Sequence, residues 1–299
     1  MPSIRTFKTF IAVVRHGSFA AAGKEIGLTA AAVGLQIRSL ETDLNQPLFD
    51  RSGRAIVLNT QGRGLLEPVK DLVARYEALP AQQEGEQLSG PVVIGALVSA
   101  LMGAFADGLW ALMRKHPRLE VRLFAGLSAD FAQRVDRGEL DAAVITQPPD
   151  RLASNLVWTS LYSEPLVLIV PRKPHFELNA DPLDILSRSP FLRFDRHAWT
   201  GHLVNEALAQ CGATVKEGME LNSVEAIVAL VRQGFGVSIV PQLANVQWSR
   251  DRALRIVPLP ALTVQRHVGL LERRHHSRTR FTKAIKDYFQ AGDFRAPIS

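Results

Sequence analysis

The stretch Ser18-Phe-Ala-Ala-Ala-Gly-Lys-Glu-Ile-Gly-Leu-Thr29-Ala-Ala-Ala-Val33-Gly-Leu-Gln-Ile37-Arg-Ser-Leu40-Glu41 decides how the start of the chain folds. Ser18 is a strong N-cap for a short helix over residues 19–25, and Gly27 closes it. Thr29 can cap a second helix, in which Val33, Ile37, Leu40 and Leu44 fall on one apolar face. Upstream, Ile4, Phe7, Phe10, Ile11 and Val14 recur at helical spacing until Gly17. Two helices joined by a short turn and braced by an earlier one make the helix-turn-helix pattern.

Working outward, Ser52-Gly53 separates two short extended stretches within residues 48–58, which predicts a small hairpin, a wing, with Arg51 and Arg54 flanking its tip. Asn59 or Thr60 can cap the next helix. Its apolar positions Leu65, Leu66, Val69, Leu72, Val73 and Tyr76 form a long stripe, expected to pair with a second chain. Pro68 should kink or break that helix. Pro80 and the polar run 81–87 mark the best domain boundary.

From Gly90 the pattern changes. Strands are expected at 92–95, 120–124 and 142–145, with helices at 99–116 and 129–137 between them. That alternation predicts a parallel sheet with right-handed crossovers. Further strands are expected at 166–170, 191–194, 237–239 and 266–271, and helices at 201–211, 223–233 and 277–290.

Composition sets limits. The chain has 299 residues, 46% hydrophobic and 21% charged, as in an ordinary globular protein. Net charge is +6, compatible with a polyanionic partner. Residues 1–64 carry eight basic side chains against four acidic ones. The lone Cys211 excludes an internal disulfide and a multi-cysteine zinc site. The first residues lack signal-peptide character and no apolar run is long enough to span a bilayer, so a reducing cytoplasm is the expected compartment, with no membrane partner.

At this point the sequence resembles the LysR-type transcriptional regulators over nearly its whole length. Near the N-terminus the resemblance is carried by Phe7-x-x-Phe10, Gly17-Ser18-Phe19-x-x-Ala22, Leu28-Thr29-x-x-Ala32-Val33-x-x-Gln36-Ile37-x-x-Leu40-Glu41, Pro47-Leu48-Phe49-x-Arg51 and Leu58-Asn59-x-x-Gly62. Further on it is carried by His116-Pro117, Gly138-Glu139-Leu140-Asp141, Glu164-Pro165-Leu166 and Gly234-Phe235-Gly236-Val237. The resemblance implies an α/β protein in three parts. These are a winged helix-turn-helix over residues 1–58, a dimerising linker helix and hinge over 59–88, and a two-lobed effector domain like a bacterial solute-binding protein over 89–299. The first lobe would span about residues 89–162 plus 266–299, and the second about residues 163–265. It also implies a sequence-specific regulator of transcription that binds double-stranded DNA at an inverted repeat, works as a homodimer or a dimer of dimers, and contacts RNA polymerase. A small organic effector, expected to be anionic, would bind between the lobes. No cofactor, metal or catalytic residue is implied.

The family usually opens its reading helix with Ser-Gln-Pro or Ser-Gln-Ser, often with Ser where Gly34 stands and Thr where Asn59 stands. Here Thr29 and Asn59 keep the capping chemistry, while Ala30 and Gly34 give up hydrogen bonds to base edges or phosphate. With the core face assigned, Ala30, Ala31, Gly34, Leu35 and Arg38 are left for DNA. Ser18, Thr29, Gln36, Arg51 and Arg54 complete the expected contact set. Alanine can touch a thymine methyl and Gln36 can pair with adenine or a phosphate. Either the sequence preference is broad, read partly through DNA shape, or compensating contacts lie elsewhere.

For the effector, strand ends point to Ser99, Ser128, Thr146, Arg193, Phe194, Trp199, Asn222 and Ser223. Arg193 could pair with a ligand carboxylate, or equally with a nearby acid such as Asp195. Ser99 could simply cap its helix. His275-His276, among arginines, reads as a solvated basic loop, and Cys211 as a bystander thiol. An enzyme is the competing class, but no nucleotide, nucleophile-elbow or zinc-protease motif is present, and Gly234-Phe-Gly236 precedes a strand rather than coming after one. A transported-solute receptor with the same two-lobe fold is opposed by the N-terminal region.

Overall fold

A computed structural model describes residues 2–50, 56–78, 87–259 and 262–292. The chain divides into two compact units, Met1–Gly85 with His275–Ser277, and Glu86–Arg274 with Arg278–Ser299.

In the first unit, α1 (Ile4–His16), α2 (Phe19–Ile26) and α3 (Ala30–Asp43) are each opened by a hydroxyl. Ser3 accepts from the Thr6 N–H, Ser18 from Ala21 and Thr29 from Ala32, at 3.1, 3.1 and 3.2 Å. Each bond satisfies a donor the helix itself cannot. Phe10, Val13, Ala22, Val33, Ile37 and Leu40 close into one core with Leu48 and Phe49. The α2–α3 turn rests on glycine. Gly27 sits at φ +70°, and a side chain on Gly23 would stand 2.4 Å from the Leu28 carbonyl oxygen. The hairpin forms as β1 (Phe49–Asp50) and β2 (Val57–Leu58), antiparallel, with Phe49 opposite Leu58. Asn59 caps the next helix, accepting from the Gly62 N–H at 2.8 Å and donating to the Pro47 carbonyl at 2.9 Å.

That helix, α4 (Thr60–Ala78), runs without a break through Pro68, where the sequence predicts a kink or a break. Its stripe is divided. Val69 and Val73 are buried in the first unit's core and Leu65 and Leu66 pack against it, while Leu72 and Tyr76 stay exposed. The expectation that the stripe pairs with a second chain is therefore corrected for its buried part, because α1 covers one side of α4, helped by a Lys8–Glu77 ion pair of 2.7 Å.

The second unit holds β3 (Gly90–Leu97), α5 (Val98–Met102), α6 (Ala104–Lys115), β4 (Leu119–Gly126), α7 (Ser128–Asp136), β5 (Ala142–Thr146) and the long β6 (Leu156–Pro171). Next come α8 (Pro182–Arg188), β7 (Pro190–Phe194), α9 (Trp199–Gln210), β8 (Lys216–Leu221), α10 (Val224–Arg232), β9 (Ser238–Pro241), β10 (Leu254–Val257), β11 (Gln265–Arg273) and α11 (Thr279–Gln290). The main sheet runs β10-β6-β11-β5-β3-β4, with β9 also on β6, and β7 pairs with β8. β3 is parallel to both β4 and β5, as the strand–helix alternation requires. The first part of β6 pairs with β11, and its last six residues, Leu166–Pro171, pair with β10 and β9. One core gathers Ile94, Phe105, Val144, Val268 and Phe281. A second gathers Ile169, Phe191, Val204, Ile227 and Ile239. The single helix expected over 99–116 is two, parted at Gly103, where a side chain would stand 2.7 Å from the Ala244 carbonyl oxygen.

These contacts set two expected outcomes. Gly23→Ala gains about 1 kcal/mol of helix propensity but forces the turn apart, for a net loss of about 1–3 kcal/mol. Far-UV circular dichroism during urea unfolding should register it, and a neutral effect would remove the turn constraint. The second concerns His116, whose buried Nδ1 accepts from the Leu88 N–H at 3.1 Å. Burial first, then the charges of Lys115 and Arg280, hold it below its ordinary value of 6.5. The unfolded state therefore binds the proton more readily, and stability is full above 6.5 and lost as pH falls through that value toward the lowered one. All four tryptophans lie at or beyond Trp110 and so report on this unit. Their fluorescence in urea should show this slope, and His116→Gln should flatten it.

Candidate DNA-reading surface and ligand cleft

Ala30, Ala31, Leu35 and Arg38 are exposed on α3, Leu35 to 61%. Arg38 has no acidic partner among the described residues. The first turn holds no acid, and its first intrahelical bond is Val33 N–H to the Thr29 carbonyl, which leaves the N–H groups of Ala30 and Ala31 without a helical acceptor.

Two residues expected at DNA are placed otherwise. Gly34 is buried, and a Cβ there would meet the Phe19 ring at 3.6 Å, so this position faces α2. Gln36 is half-buried, with Oε1 2.6 Å from Thr9 Oγ1. One end of its amide is thus tied to α1, and two-pronged pairing with adenine needs both ends. Ser18 and Thr29 act as helix caps. Arg51 and Arg54 lie outside the described residues.

The second unit contains a cleft of about 360 Å3. Ser99 and Ser128 line it from the ends of β3 and β4, and Phe194, Trp199, Asn222 and Ser223 from the ends of β7 and β8. Ser223 caps α10 by accepting from the Ala226 N–H at 3.1 Å. Trp199 is half-buried against the cluster of Phe131, Ile145, Leu156 and Leu271.

Thr146 stands behind the lining, donating its N–H to Ser128 Oγ at 3.2 Å and lying 3.4 Å from the Thr200 hydroxyl. Arg193 is turned away. Its Nε donates to Glu217 at 2.9 Å and its Nη1 to Asn205 at 2.5 Å. Phe194 faces the cleft, and successive residues of a strand point to opposite faces, so its neighbour cannot.

The guanidinium that does reach the lining is Arg266, 1% exposed. Its Nη1 donates to Ser99 Oγ at 3.0 Å and its Nε to Glu164 at 2.9 Å, and Nη2 makes a further short contact with the same carboxylate oxygen. Glu164 is fully buried and also accepts from the Ala244 N–H at 3.0 Å. Arg266 is therefore neutralised in place, while Asp195 and Glu225 add carboxylates to the lining.

Residues 4–63 match the model of the bacterial regulatory helix-turn-helix protein, lysR family, and residues 85–293 match the LysR substrate binding domain. The chain belongs to the LysR family of transcriptional regulators. It is 32% identical to a probable RuBisCO transcriptional regulator of Cyanidioschyzon merolae, over 92% of this chain and 94% of the relative. It shares its fold with a full-length OxyR variant of Pseudomonas aeruginosa at TM-score 0.70 and 19% identity, covering 96% of this chain and 94% of the other. Full-length CbnR, solved with its target DNA, matches at TM-score 0.55 and 19% identity, over 96% and 99%. This LysR-family protein is accordingly a DNA-binding transcriptional regulator with an effector-binding domain. Its relatives are named as regulators, which answers the enzyme alternative.

Sequence reasoning about this LysR regulator misses Arg266, Asp195, His197, Thr200 and Glu225 in the cleft. The local sequence carries no signal for the first, since Glu164 lies between Ser163 and Pro165 and Arg266 between Gln265 and His267; burial alone makes them a pair, because a buried acid needs a buried base. Removing one member should therefore be costly. Glu164→Gln is expected to lose about 3–5 kcal/mol, and Glu164→Leu combined with Arg266→Met should recover most of it. Tryptophan-monitored urea unfolding checks both, and a mild single-mutant effect would contradict the assignment.

Proposed function

We propose that this regulator binds an inverted-repeat operator as a homodimer or a dimer of dimers, with paired α3 helices in successive major grooves. The observation that carries this is the exposed, acid-free first turn of α3, whose N–H groups can hold a phosphate while Arg38 adds a free positive charge. The solved CbnR–DNA complex supports the same use of the fold. Residues 1–58 and 59–88 then act together, since α4 packs on the helix-turn-helix core, and residues 89–299 sense the ligand. The exposed side of α4, Leu72 and Tyr76, is the part left for a second subunit. RNA polymerase is the partner through which bound protein changes transcription, and the cytoplasm is where it meets both.

The cleft is assigned to a small organic effector. The sequence suggests an anion held by arginine; the lining supports a different mode. Arg193 is committed to Glu217, Arg266 to Glu164 and the Ser223 hydroxyl to Glu225 at 2.6 Å, so a ligand carboxylate would rest on the hydroxyls of Ser99 and Ser128 and on N–H groups at the starts of α7 and α10. Asp195 and Glu225 disfavour a multiply charged anion such as a sugar phosphate. Binding shifts the DNA-bound arrangement only by its differential affinity for the alternatives.

Footprinting with and without ligand tests the whole. A carboxylate that raises the melting temperature should also alter the protected region, and an unchanged footprint with every binding ligand would remove the switch. Leu72→Asp with Tyr76→Asp should lower the mass seen by light scattering and weaken operator binding at least about tenfold, the loss of one half-site's contribution.

A further inference from the structure

We propose that α3 reads pyrimidine C5-methyl groups in the major groove, with Leu35 as the side chain that sets specificity. The proposal rests on the DNA-binding reading above and deepens it. The outward side of the first two turns of α3 is Ala30, Ala31 and Leu35, none of which can donate or accept a side-chain hydrogen bond. The polar groups around them are partly engaged. Thr29 and Ser18 accept cap bonds, the Gln36 carbonyl is tied to Thr9, and Gly34 presents no side chain and faces Phe19. Leu35 is 61% exposed, a large apolar group held in water at the centre of the surface.

The side chains of Ala30, Ala31 and Leu35 cannot use the donor and acceptor pattern of the base edges. The one apolar feature the major groove offers is the methyl on C5 of thymine. 5-Methylcytosine carries the same methyl at the same place, so the apolar side chains of α3 treat it as thymine. Arg38, further along the helix, adds positive charge for the phosphates. The effect per contact is that of burying one methyl-sized group, about fourfold in affinity.

The test uses the full chain. Sequences are selected from a random duplex library, and each selected duplex is copied with deoxyuridine for thymidine, which deletes only the methyl. Affinities are compared by fluorescence anisotropy at one salt concentration. The uridine copies are expected to bind about fourfold weaker per contacted methyl. At the positions responsible, cytosine should bind weakly and 5-methylcytosine should recover affinity. Leu35→Ala, an exposed truncation that leaves the fold intact, should shrink the thymidine-to-uridine ratio. Equal affinity for thymidine and uridine copies of a sequence-selective site overturns the proposal. So does a loss on uridine that neither 5-methylcytosine nor Leu35→Ala alters, since DNA shape would then be responsible. A selection that enriches no sequence overturns the DNA-binding reading itself, and this inference with it.

Discussion

Where β6 leaves one core of the second unit and enters the other, a buried carboxylate meets a buried guanidinium. Glu164 lies directly opposite Arg266 on β11, and neither side chain is more than 1% exposed. Each charge would be costly alone in such surroundings, so each fixes the other. The pair also binds the Ala244 N–H and the Ser99 hydroxyl. One ionic contact thus holds β6, β11, the start of α5 and the chain after β9 in register around the cleft. The serine presented to a ligand is positioned by a charge the ligand itself need not neutralise.

Much of this architecture is legible in the sequence, for reasons that differ by element. The helix-turn-helix is written twice, in the apolar period of Val33, Ile37 and Leu40 and in the caps Ser18 and Thr29. The β3–β4–β5 half of the sheet is legible because β3 and β5 are short apolar runs and β4 alternates Glu120 and Arg122 with Val121 and Leu123, each between clear helices. β8 is not, since most of Lys216–Leu221 is exposed at the end of its pairing and shows no alternation. The first half of β6 is hidden by its mixture of polar and apolar residues. Nearness to the strand end points to Arg193, and strand parity decides against it. For α4 the stripe is visible, but whether α1 or another chain covers it depends on how the helices pack, which periodicity does not encode.

The two candidate surfaces share a trait. α3 presents small and aliphatic groups where the family often has hydrogen-bonding ones, and the cleft keeps its arginine bound to an internal acid. In both places polar chemistry is turned inward to fix structure, with Gln36 holding Thr9 and Arg266 holding Glu164. What faces a partner is shape, hydroxyls and backbone N–H groups. Discrimination by such groups depends more on fit than on charge, while the affinity that Arg38 and the phosphates supply stays sensitive to salt.

The two cores of the second unit are joined by neighbouring antiparallel segments, β6 near Pro165–Leu166 and the chain entering β11 at Gln265, linked by a hydrogen bond from the Leu166 N–H to the Val264 carbonyl at 3.1 Å. The chain after β9 crosses at the same place: the Gln242 N–H donates to the Pro165 carbonyl at 2.8 Å, and Ala244 enters the core of Ile94 and Phe105. The joint is thus three segments wide, and Arg266, which lines the cleft, sits on one of them, so a ligand in the cleft bears on the joint itself.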